Sequence, residues 1–324
     1  LLTVSNIIPI GNVMAKRYLY IPIMGFCGVI GMLVQNCISG KNLATIGFVV
    51  IIIIASITSI YRNGIWRDEF TLWYSTVNRE PGSVRAHLNL GVVHNAKGFY
   101  DYAELEYKKT LEINPRDIEA HYNMGNVYER KCMLDAAIKE YQETLRYNPV
   151  HADAYNNLGS IYKNKHLFDR AIEFYKKAKQ CNPFNPHYYN NLGLVYRENR
   201  LYAEALMEYK RAIELDPDNL DAHNNLGIVY VAMERINDAA VEFETATQLD
   251  PKVANVHNNL GIIHAKQGNH DRAIHELNKA VSLGFDNADV HNNLAGVYLT
   301  QGSTDRAITE LKLALTCNPE DYNA

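Results

Sequence analysis

Seven asparagines recur every 34 residues: Asn89, Asn123, Asn157, Asn191, Asn225, Asn259 and Asn293. A carboxamide offers two N–H donors and a carbonyl acceptor, so a column of them on one face can hold the backbone of an extended polypeptide. Helix propensity gives no reason for the column, because asparagine is a mediocre helix former. A second asparagine stands just before five of the seven, at Asn156, Asn190, Asn224, Asn258 and Asn292, and widens the polar strip. One member of each pair can instead brace an adjacent loop, and the two uses stay open at this stage. Cations that share the face, Arg130, Lys163 and Arg197 together with Arg85 and Lys266, are opposed by Glu119, Asp153, Asp221 and Asp289. That mixture suits an extended polypeptide better than a single anionic tail. The expected peptide-binding residues are therefore the seven asparagines with Arg130, Lys163 and Arg197.

His87, His121, His223, His257 and His291 also share one position of the 34-residue period. Residues in register on successive helix pairs stand about 10 Å apart, whereas each ligand of a zinc ion lies about 2 Å from it. The column therefore shares no ion, and half-buried core histidine is expected, with no metal and no cofactor. The repeats contain no G-x-S-x-G, H-E-x-x-H or P-loop, so no catalytic residue is assigned. Cys132, Cys181 and Cys317 are scattered, with no C-x-x-C pair. The net charge of −4 divides into +3 for residues 1–69 and −7 for the remainder. An acidic array lacks the basic stripe that neutralising phosphates requires, which argues against a nucleic-acid partner.

The elements that position these groups follow from the same period. Gly91, Gly125, Gly159, Gly193, Gly227, Gly261 and Ala295 occupy one position, and an alanine follows each twelve residues later, from Ala103 to Ala307. Tyr107, Tyr141, Tyr175, Tyr209, Phe243, Leu277 and Leu311 come next. Proline then closes the unit at 115, 149, 183, 217, 251 and 319, with Phe285 interrupting the series. A small residue lets two antiparallel helices approach, the bulky residue fills the gap, and proline ends the second helix. This pattern resembles the tetratricopeptide repeat. It predicts seven helix pairs over 84–117, 118–151, 152–185, 186–219, 220–253, 254–287 and 288–321, preceded by a half repeat at 67–83. Stacking the pairs buries faces that one pair would expose, which implies a right-handed superhelical solenoid with a concave groove.

Upstream, 23 uncharged residues separate Arg17 from Lys41 and 20 separate Lys41 from Arg62. About 20 residues of helix cross a hydrocarbon core of about 30 Å. The expectation is a transmembrane hairpin over 21–61, with spans 21–38 and 43–61, following a loop and the end of a truncated span in 1–20. The fold class expected is thus all-α: a two-span hairpin in the lipid bilayer followed by the solenoid.

The segment Ile8-Pro9-Ile10-Gly11-Asn12-Val13-Met14-Ala15-Lys16-Arg17-Tyr18-Leu19-Tyr20-Ile21-Pro22, the hairpin, Arg62-Asn63-Gly64-Ile65-Trp66-Arg67-Asp68 and the repeats together resemble the C-terminal portion of the transmembrane and tetratricopeptide-repeat-containing family. The asparagine column resembles the ladder that lines the superhelix of O-linked N-acetylglucosamine transferase. The family resemblance implies the C-terminal part of a protein O-mannosyltransferase of the lipid-linked-sugar type. Its repeats would recruit the acceptor polypeptide from the periplasmic or lumenal side, whereas basic residues flanking the spans favour the cytoplasm. The acidic catalytic pair of that family lies in an upstream loop absent here. By the same resemblance Arg17 and Tyr18 would meet the phosphate of a polyprenyl or dolichyl-phosphate sugar; an interfacial anchor is the competing role. The alternative function is a membrane-anchored scaffold without chemistry.

Overall fold

The structure, a computed structural model, describes residues 68–317 together with Val50 and Ile54. The chain divides into two compact units, residues 1–93 and 94–324.

In the first unit, helix α1 (Glu69–Arg79) begins at a capping box. The Asp68 carboxylate accepts from Thr71 N at 2.8 Å, and Thr71 Oγ1 accepts from Asp68 N at 3.4 Å. Helix α2 (Val84–Ala96) starts in this unit, with the Arg85 guanidinium over the Trp73 ring at 5.9 Å and His87 Nε2 2.9 Å from Pro81 O.

The second unit continues from the end of α2 through α3 (Tyr100–Ile113), α4 (Ile118–Arg130), α5 (Leu134–Tyr147), α6 (Ala152–Asn164), α7 (Phe168–Cys181) and α8 (Pro186–Glu198). Then come α9 (Tyr202–Leu215), α10 (Leu220–Ala232), α11 (Ile236–Leu249), α12 (Ala254–Lys266), α13 (His270–Ser282), α14 (Ala288–Thr300) and α15 (Thr304–Cys317). Even-numbered helices are the first of each pair and odd-numbered helices the second. A polar residue starts several first helices: Asp117, Asn219 and Asn287 each accept from the backbone N–H three residues on. The first helix ends where one residue enters the left-handed region, at Cys132 (φ 57°), His166 (56°), Arg200 (59°) and Glu234 (60°), or at a glycine such as Gly268 (78°). The following N–H then reaches back to the helix, as Met133 N does to Tyr128 O and Leu167 N to Tyr162 O.

The two helices of a pair pack through the small residue and the bulky one. A methyl group on Gly125 would lie 2.6 Å from the Tyr141 ring, and on Gly193 2.8 Å from Tyr209. Both rings are fully buried, as are Ala137 and Ala205 beside them. Successive first helices touch one another, α6 with α8, α8 with α10 and α12 with α14, which puts them on the inner side of the stack.

One part of the expected fold class is corrected. Among the described residues no helix is long and apolar enough to cross a membrane. The longest have 14 residues, about 21 Å against the roughly 30 Å of a bilayer core. The described fold is an all-α solenoid without the two-span hairpin. The stretches 21–38 and 43–61 lie outside the described residues apart from Val50 and Ile54.

Candidate peptide-binding face

The asparagine column lies on the first helices, and in the second unit most of its members join consecutive repeats. Asn191 Nδ2 donates to Asn156 Oδ1 at 2.8 Å, Asn225 to Asn190 at 3.2 Å, Asn259 to Asn224 at 3.0 Å and Asn293 to Asn258 at 3.2 Å. Each bond spans 35 residues, from one repeat to the position just before its counterpart in the preceding one. Asn157 follows the same rule with Tyr122 Oη at 3.4 Å and adds Asn126 Oδ1 at 3.0 Å and Tyr141 Oη at 3.2 Å. The amides therefore brace the stack; the donors Asn157, Asn191, Asn225, Asn259 and Asn293 are half-buried, while the acceptors Asn224 and Asn258 are buried. Asn123 is half-buried and makes no side-chain hydrogen bond among the described residues. Asn89 belongs to the first unit, where its amide donates to Arg85 O at 2.8 Å.

The three expected cations separate. Arg197 Nη1 donates to Asn225 Oδ1 at 3.1 Å and so serves the ladder. Lys163 is half-buried without a polar partner among the described residues. Arg130 is exposed and lines a cleft of about 530 Å³ with Asn95, Asn126, Glu129 and Asn157. Beneath the cleft the Tyr141 hydroxyl lies 2.6 Å from Asn126 Oδ1 and 2.9 Å from Glu129 Oε2, donating to one at a time. Burial, with the Glu129 charge behind it, pushes that phenol up, so it stays a neutral donor. A second cleft further along joins Lys266 to Asn292 and Asn293. Arg17 and Tyr18 lie outside the described residues.

Sequence reasoning named the asparagine column and read Tyr141 as a gap-filling ring, but it missed the Tyr141 hydroxyl's role together with Asn95, Asn126, Glu129 and Tyr122. It also missed the partners of the histidines. His121, His223, His257 and His291 direct Nδ1 at Glu140, Glu242, Glu276 and Glu310, 2.6 to 2.7 Å away and nineteen residues on. Nε2 of the first three faces the carbonyls of Pro115, Pro217 and Pro251. Carboxylate and carbonyl both accept, so at His121 and His223 the two partners together favour the doubly protonated ring. For His121 burial opposes the charge, but the bonds to Glu140 and Pro115 outweigh it and raise the pKa; for His223 the Glu242 bond is the largest influence, and it too is raised. The sequence carried a signal for this pair. Where the third repeat has Tyr155 instead of histidine, the residue nineteen on is Phe174, and the rings stack with centroids 6.3 Å apart.

Comparison with known proteins agrees with this architecture. The family model described as TPR repeat matches residues 93–131, 201–234 and 229–268, and two described as tetratricopeptide repeat match 119–186 and 264–324. The chain belongs to the tetratricopeptide-repeat family. This tetratricopeptide array is similar to Protein O-mannosyl-transferase Tmtc2 of Drosophila melanogaster, 33% identical over 99 residues that make up 29% of this chain and 10% of that protein. It is also similar to Protein O-mannosyl-transferase Tmtc1 of the same organism, 32% identical over 32% of this chain and 12% of that protein. For Protein O-mannosyl-transferase F38B6.6 of Caenorhabditis elegans the match is 30% over 35% of this chain and 16% of that one. The match thus spans between a tenth and a sixth of these relatives' own length. Among solved structures, the Cut9-Hcn1 hetero-tetramer aligns with TM-score 0.59 and 20% identity over 78% of this chain and 50% of that chain. A tetratricopeptide repeat protein from Parabacteroides merdae aligns with TM-score 0.58 and 18% identity over 74% and 94%. These two likenesses show the fold alone.

Proposed function

We propose that the inner face of the array binds an extended polypeptide, and that it does so as the acceptor-recruiting part of a protein O-mannosyltransferase. The observation that carries the first half is the cleft of Asn95, Asn126, Glu129, Arg130 and Asn157. It sets an exposed cation, an anion and three carboxamides side by side, with Lys163 free to contribute one repeat further on. Carboxamides pair with the backbone of any sequence, and the two charges discriminate among side chains. The second half rests on the likeness to three O-mannosyl-transferases. In this reading the repeats hold the acceptor, and the transfer chemistry belongs to other parts of the protein.

The test starts from random peptides displayed on phage and selected against the full chain. Selected peptides should lose about tenfold or more in affinity, about 1.4 kcal/mol, with Arg130→Glu or with Asn157→Ala. Peptides whose binding survives both substitutions would sink the groove assignment. If they bind as expected, mannosyl transfer to them by the full-length protein should show a higher KM in the same variants with kcat retained. A transfer rate indifferent to both would separate the groove from the glycosylation.

A further inference from the structure

We propose that Asp286, His291 and Cys317 form a zinc site, with Glu310 as the residue that orients the histidine. The inference stands apart from the peptide-binding reading and rests on how the last described repeat departs from the others.

Where the histidine column recurs at His121, His223 and His257, Nε2 faces a proline carbonyl, and the residue twenty-six positions on is Tyr147, Leu249 or Leu283. Tyr147 stacks on His121 at 5.8 Å, so that position lies beside the imidazole. In the last repeat three changes coincide. Phe285 stands where proline would, after Gly284 at φ 94°. Asp286 takes the carbonyl's place, with Oδ1 2.8 Å from His291 Nε2. The residue twenty-six on is Cys317, a free thiol. His223 is an internal control: Asp218 precedes it at the same distance, but its Nε2 stays on Pro217 O and its later neighbour is Leu249.

The result is a carboxylate oxygen, an imidazole nitrogen and a thiol sulfur, all within 4.8 Å of one another. Zinc takes this donor set at about 2.0 to 2.3 Å, which puts tetrahedral ligands about 3.5 Å apart. Closing the site draws the groups in by about an ångström, a side-chain rotation for the exposed Asp286 and Cys317 around the buried His291. A thiolate beside an imidazole favours zinc over magnesium or calcium. Glu310 supplies what a ligating histidine ordinarily has, a carboxylate on its other nitrogen, 2.7 Å from Nδ1. The ion would replace the proton that Nε2 shares with Asp286, and water would complete the fourth position from the exposed side. The ion would also tie the end of α15 to the loop before α14, on a helix that leaves Leu311 40% and Leu313 43% exposed.

The experiment uses the full chain stripped with a chelator, then titrated with Zn²⁺ against a chromophoric chelator and with Co²⁺ followed by absorbance. Tetrahedral Co²⁺ with one thiolate should appear, with a sulfur-to-metal charge-transfer band saturating at a single equivalent. Cys317→Ser should abolish that band and Asp286→Asn weaken binding, while Cys132→Ser and Cys181→Ser leave both intact. Glu310→Gln should weaken affinity about 10- to 100-fold and keep the band. Circular dichroism confirms that Cys317→Ser, a change at an exposed side chain, keeps the helices. A band that survives Cys317→Ser, or Zn²⁺ that fails to leave the competing chelator, would overturn the site and reduce Asp286 and His291 to an ion pair.

Discussion

His223 on α10 and Glu242 on α11 meet with Nδ1 and Oε2 2.7 Å apart, and the same imidazole reaches Pro217 O at 3.0 Å. One side chain thereby joins the first helix of its pair to the second and to the preceding loop.

The charge on this clamp sets a pH dependence. His121 and His223 have pKa values raised above their unfolded value by Glu140 and Glu242, despite burial, with Pro carbonyls, Glu143 and Asp216 adding to the effect. A group of this sign contributes its stability fully below the unfolded pKa of about 6.5 and loses it as pH rises through the folded value. Urea unfolding should therefore show stability falling as pH rises above about 6.5. Glu242→Gln should flatten that fall and cost roughly 1.5–3 kcal/mol at pH 6. A fall of unchanged steepness in the double variant Glu140→Gln/Glu242→Gln would mean that other groups titrate.

The close approach of the helices predicts opposite outcomes for two glycines. Gly193→Ala puts a methyl 2.8 Å from the buried Tyr209 ring and should destabilise by about 1–3 kcal/mol. Gly296, exposed on α14 with nothing within 4 Å of an added methyl, should gain about 0.8–1 kcal/mol on Gly296→Ala from helix propensity alone. Thermal melts of the two variants, displaced in opposite directions, check this.

Two tyrosines at one register position should likewise differ. Tyr141 uses its hydroxyl with Asn126, Glu129 and Asn157, whereas the buried Tyr209 hydroxyl has no hydrogen-bond partner among the described residues. Tyr141→Phe should cost about 1–2 kcal/mol by stripping a partner from the half-buried Asn126, Glu129 and Asn157 side chains. Tyr209→Phe should be neutral or stabilising, since Phe243 fills the same place one repeat on. Equal losses in denaturant midpoint for the two would refute the distinction.

The period made much of this legible in advance. Small and bulky residues sixteen apart announced the packed pairs, and the asparagine column, one per repeat in the sequence, falls on the first helices. The partners of those asparagines were not legible, because a bond across 35 residues depends on how far one repeat rotates against the next. The His–Glu clamp needs the antiparallel geometry of the pair before nineteen residues become a contact. The left-handed turn was hidden because Cys132, His166, Arg200 and Glu234 stand where glycine would have advertised it. Hydropathy over 21–61 suggested membrane spans, yet hydropathy reports length and apolarity only, and no described helix has both.

The amide rungs all point one way: Nδ2 of the later repeat donates to Oδ1 of the earlier one. The rungs thus alternate donor and acceptor in a single direction along the strip, with Asn224 and Asn258 themselves buried and Asn225 Oδ1 taken by Arg197 Nη1. A polypeptide backbone also alternates donor and acceptor, and it runs from an amino to a carboxyl end. A strip with a heading of its own does not present the same face to a chain and to its reverse, so the groove would distinguish polarity before it reads any side chain.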